Sequence, residues 1–388
     1  MPLVPRDAYW AWGLYDSLIV VVPSLDMVVV RGGEGGKQWP RDAEADHYEV
    51  LRPFLEPLVA AALGHTGEPP YPHSDLIGSV QWAPKDEIVR MAEGCDNWPI
   101  TWGDDDLLYT AYGDGWGFEP HVEHKLSLGL ATIAGQPTLL SGSNLRSPTI
   151  EQVGQGREGK KASGMLMIDG VLYLLVRNCD NSQLVWSTDH GVTWKSCDWT
   201  WSESFGCPTF LNFGKNYAGA RDEFVYIYSP DSDNAYDAAD RMLLARAHKH
   251  RLLDEDAYDY FAGLSSEGEP SWSKSIARRS TVFEHAGRCY RGSVSYNAGI
   301  GRFLYCQVLP QSRDARGPRY EGGFGIYESP EPWGPWRTVY FTEHWDVGPG
   351  ESSSLPTKWM SADGTSMYLV FSGDDCLSVR KLMIDLKR

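Results

Sequence analysis

The sequence lacks a long apolar run near its N-terminus. The longest run there, Leu18–Val22, has five residues, whereas a membrane-spanning helix needs about 20. Residues 1–15 hold no basic stretch followed by an apolar one, the pattern of a secretory signal. We therefore expect no export signal in this chain and no membrane partner, which leaves its localisation open.

Positive charge is also scarce, and paired-cysteine motifs are missing. The chain has 35 Lys and Arg against 52 Asp and Glu, a formal net charge of −17. Such a field repels phosphate backbones, so we expect no nucleic-acid partner, and a polyanionic glycan would need a local cationic patch. The seven cysteines show neither CxxC nor His-flanked zinc spacing. We expect buried free thiols and no cofactor, with a divalent metal in the site left open.

What the sequence does have is aromatic residues, glycine and a repeated phrase. Each copy is a Gly/Asp-rich turn followed by a short apolar strand centred on tyrosine, and the five tyrosines are Tyr109, Tyr173, Tyr226, Tyr305 and Tyr368. They are 53 to 79 residues apart, about the length of a four-stranded propeller blade with its loops. The repeat predicts an all-β fold, a five-bladed β-propeller.

Composition divides the chain into three parts. Residues 1–63 predict a short β-hairpin plus helix, 64–75 a Pro-rich linker, and 76–388 a carbohydrate-active propeller. A propeller ring closes when one blade takes strands from both chain ends. The candidates here are residues 76–82 and 377–384.

Residues 1–63 resemble the last two strands and C-terminal helix of serine hydrolases of the β-lactamase and penicillin-binding type. The nucleophile helix and the Tyr-x-Asn loop of those enzymes are missing. The resemblance therefore implies a truncated remnant with no hydrolase chemistry of its own.

Polar residues at the start of a blade's first strand and the end of its second strand should line one end of the propeller. Glycoside hydrolysis needs one carboxylic acid and one carboxylate, which makes Asp96, Glu203 and Glu351 the candidate catalytic residues. Candidate substrate-binding residues on the same rule are Asn97, Trp98, Asp114, Lys161, Arg177, Asp180, Tyr217, Arg221, Tyr290, Arg291 and Asp374. Each of these side chains could instead be an ordinary rim charge or ion-pair partner.

Two further motifs are better explained by turns. Residues 187–194, Ser-Thr-Asp-His-Gly-Val-Thr-Trp, match the Asp-box of sialidases and other propellers, in which the Asp ties a hairpin turn. Asp104, Asp105 and Asp106 should lie in a turn at the opposite end from the site, as Asp side chains in turns bond nearby N–H groups. A metal at these three residues is the alternative.

Four segments carry a second resemblance: residues 96–106, 205–214, 217–222 and 356–360. They are similar to a bacterial propeller family of formerly unknown function, some of whose members are endo-D-arabinanases. Over about 310 residues the resemblance implies a glycoside hydrolase on an arabinan-like polysaccharide, periplasmic or secreted. Similar propellers also occur among polysaccharide lyases.

Three functions stay open on the sequence. The first is a hydrolase with a carboxylate pair. The second is a uronate lyase using Tyr290 with Arg291, Tyr217 with Arg221, or, less convincingly, His121 and His124. The third is a glycan-binding propeller without catalysis. The sugar, the linkage and the stereochemical course are not encoded in any motif.

Overall fold

The computed structural model describes residues 4–5, 7–13, 17–32, 54–56, 58–59, 62, 67–309 and 320–387. The chain forms two compact units, Met1–Glu68 and Pro69–Arg388. Among the described residues, no helix has both the length and the apolar character needed to cross a membrane.

The first unit is a three-stranded antiparallel sheet with a short helix. Its strands are β1 (Tyr9–Trp12), β2 (Leu18–Val22) and β3 (Met27–Arg31), in that order. The predicted hairpin is confirmed, with Ile19 opposite Val30. Residues 54–56, 58–59 and 62 are helical, and Leu55 and Val59 pack on the alternating buried side chains of β2. Tyr48 and Leu51, which precede these residues at helical spacing in the sequence, lie outside the described residues.

The described part of the second unit contains four β-sheets, and the ten-stranded one joins blades 3 and 4. Their strands in chain order are as follows. After β4 (Ile77–Trp82) and β5 (Val89–Met91), blade 1 has β6 (Ile100–Trp102), β7 (Leu108–Tyr112), β8 (Leu126–Gln136), β9 (Leu139–Leu145) and β10 (Gln152–Val153). Blade 2 has β11 (Lys161–Ile168), β12 (Val171–Arg177), β13 (Ser182–Ser187) and β14 (Lys195–Ser196). Blade 3 has β15 (Thr209–Asn212), β16 (Phe224–Pro230), β17 (Ala239–His248), β18 (Asp259–Leu264), β19 (Pro270–Ser273) and β20 (Phe283–Cys289).

Blade 4 has β21 (Gly292–Asn297), β22 (Arg302–Leu309), β23 (Gly323–Ser329) and β24 (Arg337–Thr342), and blade 5 has β25 (Ser353–Ser354), β26 (Ser366–Phe371) and β27 (Leu377–Leu386). Short 3₁₀ turns occur at Pro23–Leu25, Lys85–Glu87, Gly156–Glu158, Lys215–Tyr217, Glu255–Ala257, Ile276–Arg278, Thr357–Trp359 and Gly373–Asp375.

These sheets form the predicted five-bladed propeller. Neighbouring strands within each blade are antiparallel, while the first strands of blades 3 and 4 pair in parallel, with Leu211 opposite Val294. First strands that run side by side in one direction are what a ring of blades around a central axis requires. Ring closure is confirmed as well, because β4 from the chain's first part pairs with β27, placing Trp82 opposite Leu382.

The repeated phrase has a local physical cause. In blade 1, Asp105 accepts a hydrogen bond from the backbone N–H of Leu107 at 3.0 Å and another from the Tyr109 hydroxyl at 2.7 Å. Blade 3 repeats this with Asp222 and Tyr226, at 2.6 Å between Oδ2 and the hydroxyl. The Asp thus fixes the turn between the first two strands and anchors the tyrosine of the second.

The Asp-box has the structural role expected of it. Asp189 accepts from Thr193 N and Oγ1 at 2.9 and 2.6 Å and from Ser187 Oγ at 2.7 Å. These donors lower the pKa of Asp189 to about 2, with the Thr193 hydroxyl the largest cause. Trp194 is buried and its indole N–H donates to Gly191 O.

Part of the predicted linker 64–75 packs on the propeller instead of bridging freely. Tyr71 contacts Phe283 and Tyr327, and His73 forms a parallel bridge with Thr338 on the edge strand β24. An aromatic side chain and an open strand edge explain why this Pro-rich stretch is held in place. The seven cysteines are all free, and six of them are buried, as expected.

Candidate functional site

The mouth of the propeller is the end where each first strand begins and each second strand ends. The strand register brings these positions together: Asp96 faces Gly113, Lys161 faces Arg177, and Gly292 faces Gln307. Below the mouth, between the first strands, lies a narrow cavity of about 30 Å³ lined by several serines. That volume is about enough for one or two water molecules. A larger ligand would therefore have to bind at the mouth itself.

Asp96 and Asn97 lie a few residues before β6, and both side chains are buried. Asn97 has the left-handed backbone conformation, with φ of 56°, and its Nδ2 donates to Asp96 Oδ1. Gly113 leaves room for this pair, because a Cβ at that position would lie 2.6 Å from Asp96 Oδ1. Lys161 Nζ is 4.0 Å from the same oxygen.

Glu351 enters the mouth from blade 5 and pairs with Arg291, which precedes β21 of blade 4. Arg291 Nη1 also approaches Asn97 Oδ1 at 3.5 Å, and its Nε donates to Ala235 O at 2.9 Å. A continuous chain of contacts thus runs from Asp96 through Asn97 and Arg291 to Glu351. The Glu351 backbone is held by donation of its N–H to Ser372 Oγ at 2.6 Å.

Lys161 and Asp114 form the second ion pair of the mouth. Lys161 begins β11 and has only 3% of its side chain exposed. Asp114 follows β7 and accepts the backbone N–H of Gly156 at 3.0 Å. The pair therefore joins the first two blades and holds the loop before β11.

Arg177 ends β12 and is buried, with 1% of its surface exposed. Its Nη2 donates to Asn97 Oδ1 and its Nη1 to the Tyr236 hydroxyl, each at 3.2 Å. Its Nε has no hydrogen-bond partner among the described residues. Both acceptors are uncharged, in contrast to the partners of Lys161 and Arg291.

Six of the predicted site residues therefore lie together with Asp96 at the mouth: Asn97, Asp114, Lys161, Arg177, Arg291 and Glu351. Glu203 lies apart from them. Its side chain is 51% exposed and pairs with Arg279, which also bonds Asp231 at 3.1 Å. Two predicted binding residues are exposed, Asp180, bonded to Thr200, and Asp374, paired with Arg90 at 2.7 Å.

Trp98 and the Tyr217–Arg221 pair do not present their side chains at the mouth. The Trp98 ring is 1% exposed and packs on Tyr112 and Phe118 in the core of blade 1. Tyr217 and Arg221 follow β15, in the turn at the end opposite the mouth. They lie at that end because the first strand runs away from the mouth, and the turn that follows connects it to the second strand.

The two tyrosines of the lyase alternative are poorly suited to proton abstraction. Burial raises the pKa of Tyr217 well above its ordinary value, and its hydroxyl already donates to Phe224 O at 2.7 Å. Tyr290 does lie beside Arg291 but is buried, and this burial raises its pKa. His121 and His124 are exposed beside Glu119 and Glu123.

The sequence reasoning missed Tyr236 in the loop between β16 and β17. Its ring lies beneath the guanidinium groups of Arg157, Arg177 and Arg291, at 4.4, 5.3 and 5.4 Å from the ring centroid. Its hydroxyl also accepts from Asn178 Nδ2 at 2.9 Å. A turn-rich stretch, Asp231–Asp237, was the only sequence signal, and it does not say that the loop reaches the centre.

At the opposite end, Asp104, Asp105 and His190 bring ligand atoms within 4.8 Å of one another. His190 Nε2 is 2.9 Å from Asp104 Oδ1, and both Asp105 oxygens accept turn hydrogen bonds. Asp105 thus ties the turn, and Asp104 and His190 form a hydrogen bond with each other. The expected turn role of the aspartates accounts for the arrangement.

The sequence matches no protein-family model and no curated protein. Similar solved structures include a GH43_1 enzyme from Xanthomonas citri, with 14% identity, a TM-score of 0.42, and coverage of 79% of this chain and 90% of that one. Another is a GH43 β-xylosidase/α-arabinofuranosidase from a compost microbial metagenome, solved with xylotriose, with 11% identity, a TM-score of 0.40, and coverage of 79% and 98%.

A third is an α-L-arabinofuranosidase from Fusarium graminearum, with 10% identity, a TM-score of 0.36, and coverage of 77% of this chain and 98% of that one. At TM-scores this low, the likenesses carry no argument about this chain's reaction or substrate. The five-bladed propeller rests on the strand pairing described above.

Proposed function

We propose that the chain is a glycoside hydrolase whose catalytic pair is Asp96 and Glu351. The supporting observation is the chain of contacts from Asp96 through Asn97 and Arg291 to Glu351. It joins two carboxylates from different blades through one amide and one guanidinium. Glycosidic cleavage uses two positioned carboxyl groups, one to protonate the leaving oxygen and one to attack or to activate water.

The different surroundings of the two carboxyl groups assign their roles. Arg291 donates to Glu351 and fixes the position of its carboxyl group, and in this assignment Glu351 is the nucleophile or general base. Asp96 accepts from the amide of Asn97 and lies 4.0 Å from Lys161 Nζ, and in this assignment it is the proton donor. Glu203 has no part in it, because its side chain is held outside the mouth by Arg279.

The test is release of reducing ends from a panel of arabinans, xylans and uronate-bearing glycans. On the glycan that the wild-type chain cleaves, Asp96→Asn and Glu351→Gln should each lower kcat by about 10²–10⁴-fold. Glu331→Gln is the matched control. Glu331 also pairs with an arginine, Arg221, at 2.8 Å, but 36% of its side chain is exposed and it lies away from the mouth. It should keep the wild-type rate, as should Glu203→Gln.

Two results would overturn the proposal. One is a wild-type rate in Glu351→Gln or Asp96→Asn. The other is a product that absorbs in the ultraviolet as an unsaturated uronate, which only a lyase makes. Failure of the folded wild-type chain to release reducing ends from any glycan in the panel would favour the non-catalytic binding function.

A further inference from the structure

Three cations are buried at the mouth, and their partners differ. Lys161 and Arg291 each form an ion pair with a carboxylate, Asp114 and Glu351 respectively. Arg177 donates only to Asn97 and to the Tyr236 hydroxyl, and no ion pair of Arg177 is found in the described part of the chain. Its Nε is buried without a hydrogen-bond partner.

A buried guanidinium without a counter-charge is costly, because it loses hydration that neutral acceptors replace only in part. Arg177 borders the central cavity directly beneath the mouth. Its planar fork has five N–H donors, of which Tyr236 and Asn97 accept two. The fork is suited to an anion with two oxygens.

Tyr236 covers this position. Its loop lies between β16 and β17, and its ring contacts the guanidinium groups of Arg157, Arg177 and Arg291. Tyr236 is uncharged, so it shields the cations from water without neutralising them. Of the three guanidinium groups around the ring, Arg291 is paired with Glu351, while no ion pair of Arg157 or Arg177 is found among the described residues. The chain as a whole has a net charge of −17.

We propose that Arg177 binds an anionic group of the glycan substrate, the carboxylate of a uronate or a sulfate, next to the Tyr236 ring. This inference rests on the proposed glycoside hydrolase function and deepens it by naming the substrate class. The anion supplies the counter-charge that Arg177 does not receive from the protein. In this proposal the sugar bearing the anion stays at the mouth beside Tyr236, and only the anionic group reaches Arg177.

The test is calorimetric titration of the full chain with D-glucuronate, with D-glucose 6-sulfate and with D-glucose. We expect the wild-type chain to bind at least one of the two anions, and D-glucose at least about tenfold more weakly. Glucuronate binding assigns the carboxylate, and glucose 6-sulfate binding assigns the sulfate. Equal affinity for D-glucose and both anions, or no binding of either anion, would overturn the proposal.

The variant Arg177→Gln should weaken anion binding by about tenfold or more. Arg251→Gln removes an exposed arginine that pairs with Asp254 at 2.9 Å, and it should leave the affinity unchanged. If Arg177→Gln does not fold, Arg177→Lys keeps the charge but loses the fork, and it should still bind the anion more weakly. Wild-type affinity in either folded variant would contradict the assignment.

Binding and cleavage fail separately in this design. Anion binding that depends on Arg177, without hydrolysis of any glycan, would refute the hydrolase function and keep the anion site. Hydrolysis of neutral glycans only, with no anion binding, would refute the anion site and keep the hydrolase function.

Discussion

Asn97 is the residue on which the arrangement of the mouth depends. Its amide donates to Asp96 and accepts from Arg177 and Arg291, so one side chain meets groups from blades 1, 2 and 4. Asn is one of the few residues other than Gly that adopt a positive φ readily, and here φ is 56°. The backbone conformation therefore aims the amide into the centre.

Gly113→Ala tests how tightly this arrangement is held. The new Cβ would lie 2.6 Å from Asp96 Oδ1 and 3.2 Å from Lys161 Nζ, which forces the carboxyl group to move. Because small displacements of reacting groups cost up to about 10²-fold in rate, we expect kcat to fall by at least about tenfold. Steady-state kinetics measure kcat, and a thermal melt of the same preparation measures whether the variant is also less stable.

Gly32→Ala is the control, since a Cβ there meets nothing within 4 Å. It should change neither the rate nor the melting temperature. A wild-type rate in Gly113→Ala would mean that the position of Asp96 does not matter to the reaction.

Single residues are also where sequence reasoning reached its limit. The blade rule located Asp96, Arg291 and Glu351 at one end, because register follows from the alternating strand pattern. It could not separate Glu203 from them, since a position at the rim does not reveal that the side chain is exposed and paired with Arg279. Nor could it find Tyr236, because the path of a loop depends on its tertiary contacts.

At the scale of elements, hairpin turns tied by aspartate recur in the propeller. Asp189 in the Asp-box and Asp363 before β26 each accept three hydrogen bonds from nearby Ser and Thr groups. These donors hold the pKa of both carboxyl groups at about 2, below the ordinary value of 3.8. The Asp-box could be read from its motif, whereas the second turn carries a shorter Ser-Ala-Asp-Gly-Thr string.

Asp189→Asn should lower the melting temperature at neutral pH and flatten its fall in acid. The folded-state pKa is depressed, so the stabilisation by ionised Asp189 is present above pH 3.8 and is lost as the pH falls through about 2. Melts between pH 2 and pH 7 measure it. Glu267 is exposed, and Glu267→Gln should show the same fall of melting temperature in acid as the wild type. If Asp189→Asn shows that same fall, the account of this turn is contradicted.

At the scale of the whole molecule, stability depends on closing the ring. Strand β27 pairs with β26, β4 and β5, so it lies in the middle of the last sheet. The periodic pattern of both ends was enough to predict this closure. The contacts of Tyr71 and His73 with blades 3 and 4 were not predictable, because Pro-rich segments have no pairing pattern of their own.

Removing residues 377–388 should abolish the cooperative thermal transition, because it deletes a central strand and exposes two strand edges. Removing residues 1–68, the other compact unit, should keep both the transition and the activity. Circular dichroism melts of the two truncated chains compare them directly. A cooperative melt without β27 would show that the ring does not need its closure.

The most direct test of the central claim is chemical rescue of Glu351→Ala on the glycan that the wild-type chain cleaves. The account predicts a loss of about 10²–10⁴-fold in kcat, partly restored by added azide or formate, which can take the place of the missing carboxylate. Glu331→Ala should stay fully active without either anion. A Glu351→Ala variant that cleaves the glycan at the wild-type rate would contradict the account.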